Sequence, residues 1–232
     1  MADTQKLQPF KANYMVSAMG LEGINVTHTL KLHSEEKNQF YHFKSYSVPV
    51  GLLALKKNET RNEQSKGKVI GGLAHSHIQP TEYSYLQIRN GKTRRDIELQ
   101  FDWQKQLAHI HLKHKKQKWQ QSIPKATVDK LSYQLSLMLI LADTSDNRQS
   151  FSLSIANAGK LKQYHFTLLG KEKVITPLGE FQTIKVKHKR HQSDKTITLW
   201  CAAKLNYLPV KIIQDEKDKP QFISRITSYQ KH

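Results

Sequence analysis

Apolar and polar residues alternate in short runs from residue 10 to residue 229, and glycine, proline and asparagine separate the runs. A period of two sends successive side chains to opposite faces of a pleated strand, so this chain is written to bury one face of a sheet. Phe10, Ala12, Tyr14 and Val16 share a face of the first run. Gly20 and Gly23 bracket a turn, and Ile24–Leu30 alternates again, which predicts a hairpin. Phe40–Tyr46 predicts a third strand. The segment Lys56–Lys68 is polar and charged, and predicts an exposed connection instead.

Beyond Pro80, Tyr83–Ile88 runs into Asn90-Gly91, a pair that favours a two-residue hairpin turn, and Ile97, Leu99 and Phe101 line one face of the return strand. In the next strand Ala108, Ile110 and Leu112 face inward, with His109, His111 and Lys113 outward. Pro124 closes this meander. One helix is expected over about residues 127–142, capped by Thr127 or Asp129, with Leu131, Leu135, Met138, Leu139 and Ala142 as its apolar stripe. Strands resume at Ser150–Ile155, Tyr164–Leu169, Phe181–Lys187, Thr196–Cys201, Pro209–Gln214 and Phe222–Tyr229. About a dozen strands with one amphipathic helix predict a mainly β fold, antiparallel, forming a partly closed barrel or sandwich. A single domain over residues 1–232 suits that class.

Thirty-seven Lys and Arg stand against nineteen Asp and Glu, a formal charge of +18. Such a field draws polyanions and anionic membrane toward the protein. Two clusters stand out: Lys113, Lys115, Lys116 and Lys118, and Lys185, Lys187, His188, Lys189, Arg190 and His191. In the second, Ile184 and Val186 are expected inward while Lys185, Lys187 and Lys189 point outward. If the two strands are neighbours, the eight Lys and Arg side chains form a cationic stripe for anionic ligands. Each exposed lysine beside an anionic bilayer is worth about 1 kcal/mol. Lysines along a strand edge also guard against aggregation, and that explanation competes with a binding role.

Catalytic signals are absent from the pattern. No Gly-x-Ser-x-Gly elbow and no phosphate-binding glycine loop occur, so no cofactor is expected. The twelve histidines include the pairs His75 and His77, and His109 and His111, each spaced to share a strand face. Lysines beside His111 repel a cation, so no metal is expected either. Cys201 is the only cysteine, which excludes an internal disulfide, and Leu199-Trp200-Cys201-Ala202 predicts a buried, inert thiol. The longest apolar run, Leu135–Ala142, is broken at Ser136 and far short of the roughly 20 residues of a membrane span. Met1-Ala2-Asp3-Thr4 reads as a cytosolic start, or as a mature start behind a removed signal peptide.

Several segments in order resemble the bacterial exported family known as domain of unknown function family 3108. They are Leu7–Tyr14 with Gly20 and Gly23, Ile78–Tyr83, Ile97–Trp103, Asp129–Leu135, Thr176–Thr183, Leu199-Trp200 and Leu208–Ile212. The resemblance implies export to the periplasm of a Gram-negative bacterium, which suits Ala2 as a first mature residue, and it brings no activity or catalytic residues. The expected function is a non-catalytic envelope protein that binds a lipid-like or anionic ligand, such as lipid or lipopolysaccharide phosphate, in a cavity or on the lysine clusters. Two alternatives stand beside it. One is a nucleic-acid or other polyanion binder, disfavoured by export and by the lack of a recognisable nucleic-acid motif. The other is a hydrolase whose His and Asp meet only on folding.

Overall fold

The computed structural model describes residues 7–36, 38–56, 58–71, 76–143, 148–157, 160–190 and 194–232. Among the described residues, fifteen strands make one sheet. In chain order they are β1 (Phe10–Ala18), β2 (Leu21–Glu35), β3 (Asn38–Pro49), β4 (Glu59–Ile70), β5 (His77–Arg89), β6 (Lys92–Asp102), β7 (Leu107–Leu112), β8 (Gln117–Ser122) and β9 (Val128–Asp129), then β10 (Ser150–Asn157), β11 (Lys160–Thr176), β12 (Gly179–Arg190), β13 (Thr196–Ala202), β14 (Leu208–Asp215) and β15 (Phe222–Lys231). Two helices accompany them, α1 (Gly51–Lys56) and α2 (Tyr133–Ala142).

The strand order is β8-β7-β6-β5-β4-β3-β2-β1-β15-β14-β13-β12-β11-β10-β9. β1–β8 form one meander, β10–β15 a second, and β1 pairs with β15 to fuse them. Asn13 holds that seam: its Nδ2 donates to Ser228 Oγ at 2.7 Å, and its Oδ1 accepts from Thr27 Oγ1 at 2.7 Å. Every pairing is antiparallel except β9 with β10, and the sheet does not close edge to edge. The alternation read from the sequence is the alternation observed. β1 buries Phe10, Ala12 and Tyr14, and β7 buries Ala108, Ile110 and Leu112. Fully burying a side chain such as Phe166 or Leu199, each 0% exposed, contributes about 1.5–3 kcal/mol.

The edge strand β9 folds back against β4 and β5 through a buried polar knot. Asp129 Oδ2 accepts from Ser65 Oγ at 2.5 Å and Ser132 Oγ at 2.7 Å; its Oδ1 accepts from the amides of Leu131 and Ser132, both at 2.8 Å. Tyr41 OH joins Ser65 Oγ at 2.9 Å. Burial pushes the Asp129 carboxyl up to about 6, while these hydrogen bonds pull it down. Beside the knot, Lys130 lies 3.7 Å from Glu63, which also accepts from Tyr83 OH at 2.6 Å. The curl is thus latched by side chains rather than by a backbone ladder.

Three expectations need correction. Lys56–Lys68 is no exposed connection: from Glu59 it is β4, paired on both sides by β3 and β5. Its inward residues are Ser65 and Gly67, polar or small because Asp129 and Tyr41 come close there, so it shows no apolar alternation. The helix begins at Tyr133, not 127, because Val128 and Asp129 are occupied as β9. Asp129 does take the amides ahead of the helix, whereas Thr127 Oγ1 donates to Pro124 O at 2.8 Å within the preceding turn. Finally, α2 is not amphipathic. Tyr133, Leu135, Ser136, Leu137, Met138 and Leu141 are all buried, which marks a helix enclosed on nearly every side. Its Tyr133 ring lies 5.6–6.2 Å from the rings of His188, Phe166 and Tyr164 on β11 and β12, so the helix fills the inside of the curl. The short helix α1, only six residues long, lacks the repeating apolar pattern that marks a helix in the sequence.

Candidate functional site

Antiparallel pairing decides which residues share an end of the sheet. One end collects the connections β1–β2, β3–β4, β5–β6, β7–β8, β10–β11, β12–β13 and β14–β15. The first lysine cluster sits there. Lys113 and Lys115 belong to a 3₁₀ turn after β7, correcting the expectation that Lys113 extends the strand, and Lys116 takes a left-handed conformation with φ 54°. Lys118 is the second residue of β8, opposite His111. Lys113 is bound to Glu98, which raises the ammonium's pKa; Lys115, Lys116 and Lys118 are exposed, with no carboxylate in reach among the described residues.

The second cluster lies on β12, with nine strands between it and β7 across the sheet, so the two strands are not neighbours. They nonetheless share the same end, since Lys187 and Lys189 fall in the last turn-ward residues of β12 and are exposed. Lys185 is different. It pairs with Glu172 at 2.8 Å and lies 5.1 Å above the Trp200 ring, while Lys211 lies 4.5 Å from the same ring. Those two ammonium groups bracket one indole, a packing role that leaves Lys185 half-buried. Burial lowers the pKa of Lys211, with Arg225 beside it adding to the effect. The Arg190 side chain and His191 lie outside the described residues, as does His75.

His188 corrects the basic-cluster reading outright. It points inward with Val186 and is 3% exposed, with neither ring nitrogen hydrogen-bonded. Tyr164, Phe166 and Tyr133 surround it at 5.2, 4.9 and 5.6 Å, and burial lowers its pKa to about 4.

Further cations gather at this end that sequence reading did not single out: Lys92, Arg94 and Arg95 on β6, Lys160 at the start of β11, and Lys217 and Lys219 between β14 and β15, all exposed. The exposed carboxylates there, among the described residues, are Glu22, Asp194 and Asp218. At the opposite end, lysines are offset by ion pairs, Lys66–Glu82 at 3.1 Å, Lys105–Asp102 at 3.7 Å and Lys173–Glu180 at 2.8 Å. Lys11, Lys31, Lys125, Lys171, Lys204 and Lys231 lie exposed toward that opposite end as well, so both ends are basic, and the end with the two lysine clusters holds the larger excess of exposed cations over exposed carboxylates among the described residues.

His109 and His111 face outward on β7 as expected and line a cleft of about 520 Å³ with Glu98, Gln100, Lys118 and Gln120. Glu98 Oε2 is 4.0 Å from His111 Nδ1, yet no group of three metal-ligating side chains forms among the described residues. Cys201 is 0% exposed, and burial drives its thiol far above the ordinary range. It is expected to resist Ellman's reagent in the native protein and to react on adding denaturant; rapid reaction without denaturant would contradict the packing described. No helix among the described residues is long and apolar enough to cross a membrane.

The sequence profile of a family described as "Protein of unknown function (DUF3108)" matches residues 13–220. No curated protein matches the chain. Among solved structures, a beta-barrel-like protein of the domain of unknown function DUF1849 from Brucella abortus aligns with a TM-score of 0.63 and 9% identity, over 98% of this chain and 99% of that one. This likeness shows a shared barrel-like fold. A candidate lipoprotein from Parabacteroides distasonis (TM-score 0.40, 11% identity, 97% and 96% covered) and a candidate exported protein with a YmcC-like fold from Bacteroides fragilis (0.40, 10%, 97% and 97%) align more loosely.

Proposed function

The chain belongs to the DUF3108 family of proteins of unknown function, and on that footing we propose that it is a non-catalytic protein of the bacterial envelope whose basic end binds the phosphate headgroups of anionic lipid or lipopolysaccharide. One observation carries the reading: Lys115, Lys116, Lys118, Lys187 and Lys189, with ten strands between the extremes, emerge exposed at a single end of the sheet. Screening limits each charge to about 8 Å at physiological ionic strength, so the lysines within each cluster reinforce one another, and the two clusters cooperate by facing one extended anionic surface at the same end. A periplasmic location fits the exported character that the family resemblance implies. It also fits a chain whose one thiol is buried, with nothing to mispair in an oxidising compartment.

Co-sedimentation with vesicles of phosphatidylcholine, with or without phosphatidylglycerol, tests this. Binding is expected only with the anionic lipid and should weaken as sodium chloride is raised. Reversing three charges at once (Lys115→Glu, Lys116→Glu, Lys118→Glu) should lower affinity by about 100-fold, from about 1 kcal/mol per lysine. Equal binding to neutral vesicles, or indifference to the triple reversal, would sink the proposal.

A further inference from the structure

The basic end also carries large apolar side chains that the fold leaves in solvent. Met19 is 82% exposed, Leu21 72%, Leu52 76% and Phe222 39%. They are close together. Leu21 and Phe222 both pair across Ala18, one from each neighbouring strand, so they are about two strand spacings apart, roughly 10 Å. Met19 is in the turn joining Ala18 to Leu21. α1 begins where Val50 N donates to Gly23 O at 2.8 Å, and Leu53 packs over Gly23, which leaves Leu52 facing outward beside the same hairpin.

Met19 is the informative residue. The Met19-Gly20 turn has φ of 52° and 78°; the Asn90-Gly91 turn at the same end has 51° and 71°. These are the same two-residue turn, and a left-handed first position favours Asn because a longer side chain is strained there. One turn uses the favoured residue. The other holds a methionine against that preference and leaves it in water. Neither backbone geometry nor core packing explains the choice. Contiguous exposed apolar groups at an end whose exposed Lys and Arg outnumber its exposed carboxylates match one kind of surface, an anionic bilayer, whose headgroups meet the charge and whose acyl boundary takes the tips. Lys217 stands exposed in the turn that leads to Phe222, in position to meet a headgroup beside an inserted tip, while Lys219 in the same turn is paired with Glu216.

We propose that the protein docks end-on to anionic bilayers, with Met19, Leu21, Leu52 and Phe222 inserted below the headgroups. The inference rests on the headgroup-binding reading and adds insertion to it. The test uses the full chain, vesicles containing phosphatidylglycerol, and the double substitution Met19→Asn with Leu52→Ser, which restores the favoured turn residue and removes an exposed leucine, so folding is preserved. Affinity should fall by about tenfold or more while the dependence on salt stays unchanged, because no charge is altered. Unaltered vesicle affinity in the double variant overturns insertion and leaves headgroup binding standing. A wild-type protein that ignores anionic vesicles overturns both. If the double variant instead turns a dimer into a monomer in light scattering, with vesicle affinity unchanged, the tips cover a second copy of the chain and insertion is again overturned.

Discussion

Alanine at Gly67 should destabilise the fold by about 3 kcal/mol or more, enough to leave much of the protein unfolded at ordinary temperatures. A Cβ at this position would lie 2.3 Å from the Gln79 carbonyl oxygen, 2.7 Å from Pro80 Cα and 2.9 Å from Tyr41 Cε1. Two of those three atoms are backbone, so no rotamer change relieves them. The backbone cannot retreat easily either. The register of β4 and β5 shifts between Lys66 and Gly67, and Trp103 Nε1 donates to Pro80 O at 2.7 Å, fixing the far side of the irregularity. Gly23→Ala is the matched control, because its added Cβ meets only the movable Leu53 side chain, at 3.1 Å. Urea unfolding should show a collapse of the midpoint for the first variant and a small change for the second. A Gly67→Ala protein within about 1 kcal/mol of wild type would show that the strands can separate at this bulge, contrary to the close packing described.

The same neighbourhood explains what was legible in the sequence. Strands such as β1, β6 and β7 bury ordinary apolar residues on one face, so their period of two is visible without knowing any partner. β4 is hidden because its inward side chains answer to a distant group. Ser65 matters only once Asp129, 64 residues later, folds back to meet it. α2 was visible as a helix but not as an enclosed one, since its stripe of leucines and methionine looks alike whether one face or all faces are covered. For the candidate site, the lysines themselves were plain, and their outward alternation held for Lys187 and Lys189. What the chain could not display was co-location. The two clusters share an end only because β1 and β15 pair and fuse two meanders, a contact between residues more than 200 positions apart, such as Asn13 with Ser228. Lys185 and His188 escaped the pattern for local reasons. A neighbouring tryptophan captured one, and an aromatic lining received the other.

That lining leads to the second large effect, a loss of stability in mild acid. Burial holds both His28 and His188 neutral, with pKa values lowered to about 4. His28 lies between the rings of Tyr14 and Phe43 at 5.0 and 5.5 Å, and His188 lies in its aromatic surround without a hydrogen bond at either nitrogen. In the unfolded chain a histidine titrates near 6.5. Between about pH 6.5 and 4 the unfolded state therefore binds the extra protons, and stability falls as pH falls, by roughly 2 kcal/mol per histidine between pH 7 and 5. Asp129 works in the opposite sense. With its carboxyl raised to about 6 in the folded protein, it is the native state that takes up a proton first below that pH, returning roughly 1 kcal/mol over the same interval. Glu59, held down to about 2 by Arg61 and Arg89, contributes stability that is lost only below its unfolded value near 4.5. Two histidines outweigh one aspartate, so acidification from pH 7 to 5 should cost about 2–3 kcal/mol in urea unfolding. His188→Phe, which fits an aromatic setting and removes two unpaired nitrogens, should cut that loss to about 1 kcal/mol; Asp129→Asn should increase it to about 4 kcal/mol. Both variants would have to keep the wild-type pH slope for this assignment to be wrong, since the histidine and the carboxyl act with opposite sign and no single compensating change in the unfolded state could hide both.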